Sequence, residues 1–219
     1  MAEFAELLRK IANNEKLAPI EMDELGRFGT ETQRRNAFLA GNISPLNLLD
    51  IKFPIMPLYN ETFQSNKSSF SIDLPQDYNH ILLFSSGRGS LAVSSNIVVR
   101  SRFNNDTGAN YAYQLHNVYN DTSIYATNGT GFTYIDLARL AGASQPAGVS
   151  ASSFSILLNY RSNLYKQILS LFGSVDASYT TIQTQSASWN STSPISTINF
   201  FPESGTISAG STFSIYGLL

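Results

Sequence analysis

Side chains suited to metal binding and proton transfer are sparse in this sequence. It contains two histidines, His80 and His116, and no cysteine. Neither histidine belongs to a His-X-Glu or His-X-X-X-His pattern. Because a zinc site needs several nitrogen, sulfur or oxygen ligands that converge on one point, the spacing nominates no metal centre. We therefore expect no bound metal.

Acidic residues that could work as a catalytic pair are also few. Nine acids follow residue 42, and no spacing selects two that would face each other across a cleft: Asp50, Glu61, Asp73, Asp77, Asp106, Asp121, Asp136, Asp176 and Glu203. Glycoside hydrolysis needs such a pair. The sequence has no Gly-X-Ser-X-Gly elbow and no phosphate loop ending in Gly-Lys-Ser/Thr. We predict no catalytic residues, no cofactor and no enzymatic activity, with a glycan-degrading enzyme as a minor alternative.

Two polar loops allow either a ligand site or a tight turn. Residues 86–90, Ser-Gly-Arg-Gly-Ser, combine glycines with a cation, but no helix follows, so a hairpin turn is favoured over an anion site. Asn104, Asn105, Asp106 and Asn110 carry oxygens that could ligate calcium. That segment lacks the acidic density of a dedicated calcium site. A turn with Asn or Asp in left-handed conformation is the favoured interpretation.

Tyrosines concentrate in the middle of the chain. Tyr111, Tyr113, Tyr119, Tyr125 and Tyr134 fall within one short stretch. Tyrosine offers contact area at a low cost in side-chain entropy, so the cluster could form a sugar-binding or protein-binding face. Packing in the core or between subunits is the favoured interpretation. If a receptor face exists, we expect Tyr111, Tyr113 and Tyr119 to form it.

The charged residues divide the chain into two unequal parts. Residues 1–42 carry 13 of the 30 charged side chains of this 219-residue protein, whose net charge is −2. The remaining basic residues are scattered singly, without the basic stripe that nucleic-acid binding requires. No run approaches the roughly 18 apolar residues of a membrane span, and the N-terminus has no signal-peptide core. We expect neither a nucleic-acid partner nor a membrane span, and synthesis in a cytoplasm.

The charged N-terminal part has the pattern of a helical arm. Apolar residues fall at helical spacing before Asn13, Pro19 suits the first turn of a second helix, and Thr30 with Gln33 forms a capping box. Isolated helices of about 12 residues are marginal in water, so the arm must bury its apolar stripe against the body, sister chains or a host particle. We predict these docking residues: Phe4, Leu7, Leu8, Ile11, Leu25 and Phe28.

From residue 51 the hydrophobic period changes to two, which predicts about ten strands. Ile81–Phe84 and Leu164–Phe172 are more continuously apolar, as expected of central strands covered on both faces. The predicted fold is mainly β: an N-terminal helical arm, then an antiparallel β-sandwich of jelly-roll-like type. The boundaries are an arm at 1–42, a linker at 43–57 and a body at 58–219. Ala141–Ser150, rich in Gly and Ala, is the long flexible-looking loop.

Three stretches resemble structural proteins of tailed bacteriophages. Phe103–Tyr111 is similar to their Asn-Asp-Thr-Gly-X-Asn-Tyr segment. The tail end, from Ile198 through Gly205 to Ala209–Gly217, resembles a closing strand in which Gly-Ser precedes alternation ending in Tyr-Gly. Leu8–Leu25 resembles N-terminal segments that anchor proteins to the virion. That group includes capsid decoration proteins, head fibres and tail or receptor-binding proteins.

This resemblance implies a virion component and carries over no catalytic residues. The favoured function is a non-enzymatic capsid decoration (cement) or head-fibre protein, anchored by its helical arm. The alternative is a tail fibre or receptor-binding protein that contacts host surface glycans. The expected partners are the chain itself, as a homotrimer, and the major capsid protein or tail and baseplate proteins. The expected location is the virion, after synthesis in the host cytoplasm.

Overall fold

The computed structural model describes residues 55–119, 123–175 and 180–219 of the chain. The predicted arm, including Phe4, Leu7, Leu8, Ile11, Leu25 and Phe28, lies outside the described residues. Within these ranges the chain forms strands and turns and no helix. The prediction of a mainly β, antiparallel body is therefore confirmed.

Twelve strands run through the described ranges. They are β1 (Ile55–Thr62), β2 (Phe70–Asp73), β3 (His80–Gly87), β4 (Asn96–Phe103), β5 (Tyr111–Tyr119), β6 (Ser123–Phe132), β7 (Ile135–Ala141), β8 (Ala151–Leu158), β9 (Lys166–Val175), β10 (Thr180–Trp189), β11 (Thr197–Pro202) and β12 (Thr212–Leu218). Strand β1 begins at Ile55, so the last three residues of the predicted linker belong to the body. Pro57 is tolerated there because β1 lies at a sheet edge and the register shifts between Pro57 and Tyr59.

The strands form two antiparallel sheets. The large sheet has eight strands in the order β1-β12-β3-β8-β9-β10-β5-β6, and the small sheet has four in the order β2-β11-β4-β7. Strands β8, β9 and β10 are consecutive neighbours and form a meander in the middle of the large sheet. The first and last strands, β1 and β12, pair with each other.

The main core lies between the two sheets. Alternate residues of each strand point inward and are buried, as the period of two requires. Phe63, Phe70, Phe200 and Phe213 form one aromatic cluster in which the Phe70 and Phe200 rings stack with centroids 4.7 Å apart. Stacked and edge-to-face rings are favourable beyond the area they bury. This cluster joins β2 and β11 of the small sheet to β12 of the large one.

A second part of the interior is polar. Arg139 on β7 donates from Nε to Gln183 Oε1 at 2.8 Å and forms an ion pair with Asp136 Oδ2 at 3.2 Å. Its guanidinium also lies over the Phe172 ring, 4.9 Å from the centroid. Ser155 Oγ donates to Leu137 O at 3.1 Å. Because buried polar groups are stable only when paired, these bonds connect β7 specifically to β8, β9 and β10.

Candidate interaction surface

The outer face of the large sheet carries an unexpected run of large apolar side chains. Cross-strand register aligns Tyr216, Leu82, Ile156 and Leu169 in one row. The next row aligns three more. We call the set of seven the apolar face: Leu82, Phe84, Phe154, Ile156, Leu169, Leu171 and Tyr216.

These side chains contact one another and remain accessible. The Phe84 ring lies 5.2 Å from that of Phe154 and 5.9 Å from that of Tyr216, measured between centroids. Phe84, Leu169 and Leu171 are 43%, 49% and 42% exposed. Continuity across four strands distinguishes the apolar face from the scattered single apolar residues of an ordinary protein surface.

The apolar face corrects the prediction that Ile81–Phe84 and Leu164–Phe172 are central strands covered on both faces. In the described chain they are covered on one side only, because Leu83 and Phe172 point inward while Phe84 and Leu171 point outward. Leu164 and Tyr165 precede β9 and lie in the loop before it. The continuous apolar pattern therefore identifies strands whose second face is not covered by the described residues.

The surface around the apolar face is uncharged. Among the described outward-facing positions of the eight strands there is no Asp, Glu, Lys or Arg. Serine, threonine, glutamine and asparagine replace them, and Thr62 Oγ1 and Thr212 Oγ1 share a hydrogen bond of 2.8 Å at one edge. The nearby charged residues point inward: Glu61 accepts a bond from Tyr59, and Lys166 is fully buried.

Lys166 is held by backbone carbonyls. Its Nζ donates to Ser162 O at 2.7 Å and Leu164 O at 2.5 Å, and it lies 5.9 Å from the centroid of the Trp189 ring. Burial lowers the pKa of Lys166 because the charged form loses hydration. These contacts fix the loop before β9 and leave the ammonium group turned away from the outer face.

A shallow groove of about 340 Å³ continues the apolar face toward β5. Its lining is Gln114, His116, Leu169, Thr184, Gln185 and Ser186. Gln114 Nε2 and His116 Nε2 lie 3.4 Å apart. The groove thus offers hydrogen-bonding side chains, none of them Asp, Glu, Lys or Arg, beside an apolar side chain.

The two histidines do not meet. His80 on β3 accepts a hydrogen bond at Nδ1 from the Asn159 amide at 3.0 Å. His116 lies on β5, and three strands separate β3 from β5 in the sheet. At about 4.8 Å per strand the two strands are roughly 19 Å apart. In the described part of the chain, no group of three His, Asp or Glu residues is placed to hold a metal ion.

The three tyrosines proposed for a receptor face lie in different environments. Tyr111 is 0% exposed, stacks on Trp189 and accepts a bond at its hydroxyl from the Phe103 amide at 3.0 Å. Burial raises the pKa of Tyr111 to about 12. Tyr113 points inward and stacks on Phe132 at 4.8 Å. Tyr119 pairs with Thr181 through the backbone, and its side chain lies outside the described residues.

These positions correct the assignment of Tyr111 to a receptor face. Tyr111 occupies an inward position of β5, where the alternation of the strand directs it into the core. Its hydroxyl is already engaged with the backbone of the loop before β5. Tyr111 is therefore a core residue of this body and is not accessible to a receptor.

The Asp106 loop is a structural turn. The Asp106 carboxylate accepts bonds from Trp189 Nε1 at 2.7 Å, Gly108 N at 2.8 Å and Asn110 Nδ2 at 2.9 Å. Asn104 and Asn105 have positive φ angles of 52° and 57°. Burial tends to raise the pKa of Asp106, but the three donors outweigh it and the pKa is lowered. Since N–H donors occupy its oxygens, the carboxylate serves the turn.

Arg88 anchors the loop that sequence patterns mark as flexible-looking. Its guanidinium donates to five backbone carbonyls of residues 142–149, including Val149 O at 2.6 Å, Gln145 O at 2.8 Å and Pro146 O at 2.9 Å. All of these acceptors belong to the protein itself. The guanidinium N–H groups of Arg88 are therefore engaged by the loop and do not face an anion. The Ala141–Ser150 loop is therefore held in a defined conformation by these hydrogen bonds.

Comparisons with known proteins identify no family. No family model matches the sequence, and no curated protein matches it. One similar solved structure is a xylan β-1,4-xylosidase from Bacillus halodurans C-125, at 7% identity and a TM-score of 0.25 over 67% of this chain and 29% of that one. A similarity this low carries no argument about fold or activity. In the described residues, no helix is long and apolar enough to cross a bilayer.

Proposed function

We propose that this chain is a non-enzymatic structural protein of a tailed-phage virion, of the capsid decoration or head-fibre type. It self-associates, as a homotrimer, and attaches through its N-terminal helical arm to the major capsid protein or to tail and baseplate proteins. The observation that carries this proposal is the apolar face with its uncharged surroundings. A large exposed apolar patch marks a surface that binds another protein.

The strand order supports the jelly-roll part of the proposal. Take β2, β3, β4, β5, β6 and β7 as strands B to G, the β8–β10 meander as H and β11 as I. The small sheet then reads B-I-D-G, and the large sheet contains C-H-E-F, with β12 and β1 added beside C. With the three-stranded meander counted as one strand, this order matches that of a jelly roll and supports that architecture, which is found in viral capsid proteins and in lectins.

The segments that resemble phage proteins have structural roles in this body. The Asn-Asp-Thr-Gly-Ala-Asn-Tyr segment forms the turn that Asp106 stabilises, and its last residue, Tyr111, is buried in the core. The Tyr-Gly pair that ends the second segment lies in β12, where Gly217 sits directly against the Tyr78 ring. Both segments therefore stabilise the fold, which supports a structural role for this body.

Copy number in purified particles tests the proposal. We expect the protein to co-purify with virions at hundreds of copies per particle, measured by quantifying protein bands against the major capsid protein. About a dozen copies would place it in the tail apparatus instead. Absence from washed, infectious particles would reject the virion proposal altogether.

A second candidate is a tail fibre or receptor-binding protein that contacts host glycans. It is favoured by the groove beside Leu169, where Gln114, His116, Thr184 and Ser186 offer hydrogen-bonding groups. Gln114→Ala and Thr184→Ala together should then reduce adsorption of particles to host cells about tenfold while incorporation stays normal. Unchanged adsorption by the double variant would reject this candidate.

A further inference from the structure

We propose that the apolar face is the surface through which copies of this chain bind one another. The inference rests on the self-association contained in the proposed function and assigns that association to particular residues. A face that binds the same face of a second copy makes a twofold contact, so this interface joins two chains and does not by itself close a homotrimer. The occupant of the apolar face is thus a second copy of the chain.

The charge distribution selects this occupant. No described outward-facing position of the large sheet is Asp, Glu, Lys or Arg, so the surface has no cluster of lysine or arginine that would attract an anionic polymer or an anionic lipid headgroup. A complementary partner must be apolar at its centre and uncharged at its rim. The face itself meets this description, and contacts between identical subunits are the more apolar class of interface.

The size of the surface also suits a stable self-contact. Neighbouring strands lie about 4.8 Å apart, and side chains on one face repeat about every 6.7 Å along a strand. The apolar face itself, two rows on four strands, covers about 260 Å² in projection. Together with β10 and the neighbouring row on each side, the surface of five strands and four rows covers about 600 Å². Two such surfaces bury about 1,200 Å², which reaches the range of specific protein interfaces.

The rim can satisfy its own hydrogen bonds in such a contact. Ser86 Oγ donates to Ser150 Oγ at 3.4 Å, and Ser214 Oγ donates to Asn60 Oδ1 at 3.0 Å. Hydroxyl and amide groups can both donate and accept, so identical rims can pair without buried charge. The centre needs only the apolar side chains, and Phe84, Leu169 and Leu171 are the most accessible of these.

Charge substitution on the apolar face tests the inference. The full-length chain should sediment as an oligomer at about 1–50 µM protein, a range in which a specific complex is populated. Leu169→Glu and Leu171→Glu should raise the dissociation constant roughly 100-fold and give monomers, because a carboxylate would be buried without a partner. Circular dichroism should be unchanged, since both side chains point away from the core.

A matched control separates the face from a general effect of added charge. Leu164→Glu makes the same change at a loop residue that is 65% exposed and lies outside the apolar face, and it should associate like the wild type. If Leu169→Glu and Leu171→Glu also associate like the wild type, the inference is overturned. A wild-type chain that stays monomeric overturns it too, and leaves the face to another protein or to a lipid surface.

Thiol protection gives a second measurement that does not depend on disruptive variants. The chain has no cysteine, so Ser152→Cys on the outer face of the large sheet and Ser71→Cys on the small sheet each introduce a single thiol. Both serines are exposed. The thiol of the Ser152→Cys variant should react about tenfold more slowly at high protein concentration than at low concentration. The thiol of the Ser71→Cys variant should react at an unchanged rate, and equal protection at both positions would count against the inference.

The two proposals fail separately. A chain that associates through the apolar face but is missing from particles would reject the virion proposal and leave the interface standing. A chain that is abundant in particles but monomeric in solution would reject the interface and the homotrimer, and would leave the location in the virion standing.

Discussion

At the scale of single residues, the Asp106 carboxylate gives the body a predictable response to pH. Its lowered pKa means that the folded protein holds this proton less tightly than the unfolded chain does. The carboxylate therefore contributes stability above the unfolded pKa, and that contribution is lost as the pH falls through the lower, folded pKa. At neutral pH the contribution is fully present.

Asp106→Asn should consequently destabilise the protein at pH 7 by about 1.5–3 kcal/mol, the range for hydrogen bonds to a charged group. An amide can accept with one atom only, and its Nδ2 would face donors such as Trp189 Nε1. Urea unfolding at pH 7 and pH 3 measures the difference in unfolding free energy between variant and wild type. The difference should shrink at pH 3, and a difference that stayed constant would contradict this account.

At the scale of elements, β12 depends on a glycine where it crosses Tyr78. A Cβ at Gly217 would lie 2.4 Å from the Tyr78 ring, which is closer than any normal contact. Gly217→Ala should therefore cost about 1–3 kcal/mol of unfolding free energy, as overpacking typically does. Gly173→Ala on β9 is the control, because its Cβ would meet nothing within 4 Å. Thermal unfolding of both variants measures the contrast, and equal melting temperatures would refute it.

Secondary structure elements also show what sequence patterns can and cannot predict. The alternation along β4 follows directly from the period of two, because its apolar residues Ile97, Val99 and Phe103 are buried. Along β8 the period is correct but the faces are exchanged: Phe154 and Ile156 point outward, and Ser153 and Ser155 are buried. The apolar face was missed as a surface, since Ile81–Phe84 and Leu164–Phe172 look like strands covered on both sides. The continuous apolar runs are visible in the sequence, but such a run does not show whether the residues that cover the second face belong to the same chain.

Long-range contacts account for the remaining differences. Arg88, directly after β3, anchors the Ala141–Ser150 loop from more than fifty residues away, with a separation of 58 to Pro146. Local composition cannot report such a bond, so the loop looks flexible in the sequence. Tyr111 likewise looks available for binding until Phe103 and Trp189 enclose it.

At the scale of the whole molecule, the predicted arm should be separable from the body. Leu8→Asp and Phe28→Asp should abolish incorporation into particles, because each buried Leu or Phe contributes roughly 1.5–3 kcal/mol to docking before ordering costs. Deleting residues 1–41 should likewise leave a folded body that no longer attaches. His80→Ala and His116→Ala serve as controls and should incorporate normally. Particle composition measures all of these, and normal incorporation of the Asp variants would reject the arm as the anchor.

The placement of β12 has a consequence for the order of events during synthesis. β12 lies between β1 and β3 in the large sheet, and β1 pairs only with β12 among the described strands. The first strand of the body must therefore wait for the last one to leave the ribosome before it gains a neighbour. Until β12 is added, Tyr216 is missing from its row of the apolar face. Growing chains on neighbouring ribosomes of one messenger RNA therefore present only an incomplete apolar face to one another. Assembly through that surface is thereby delayed until the chain has been read through to β12.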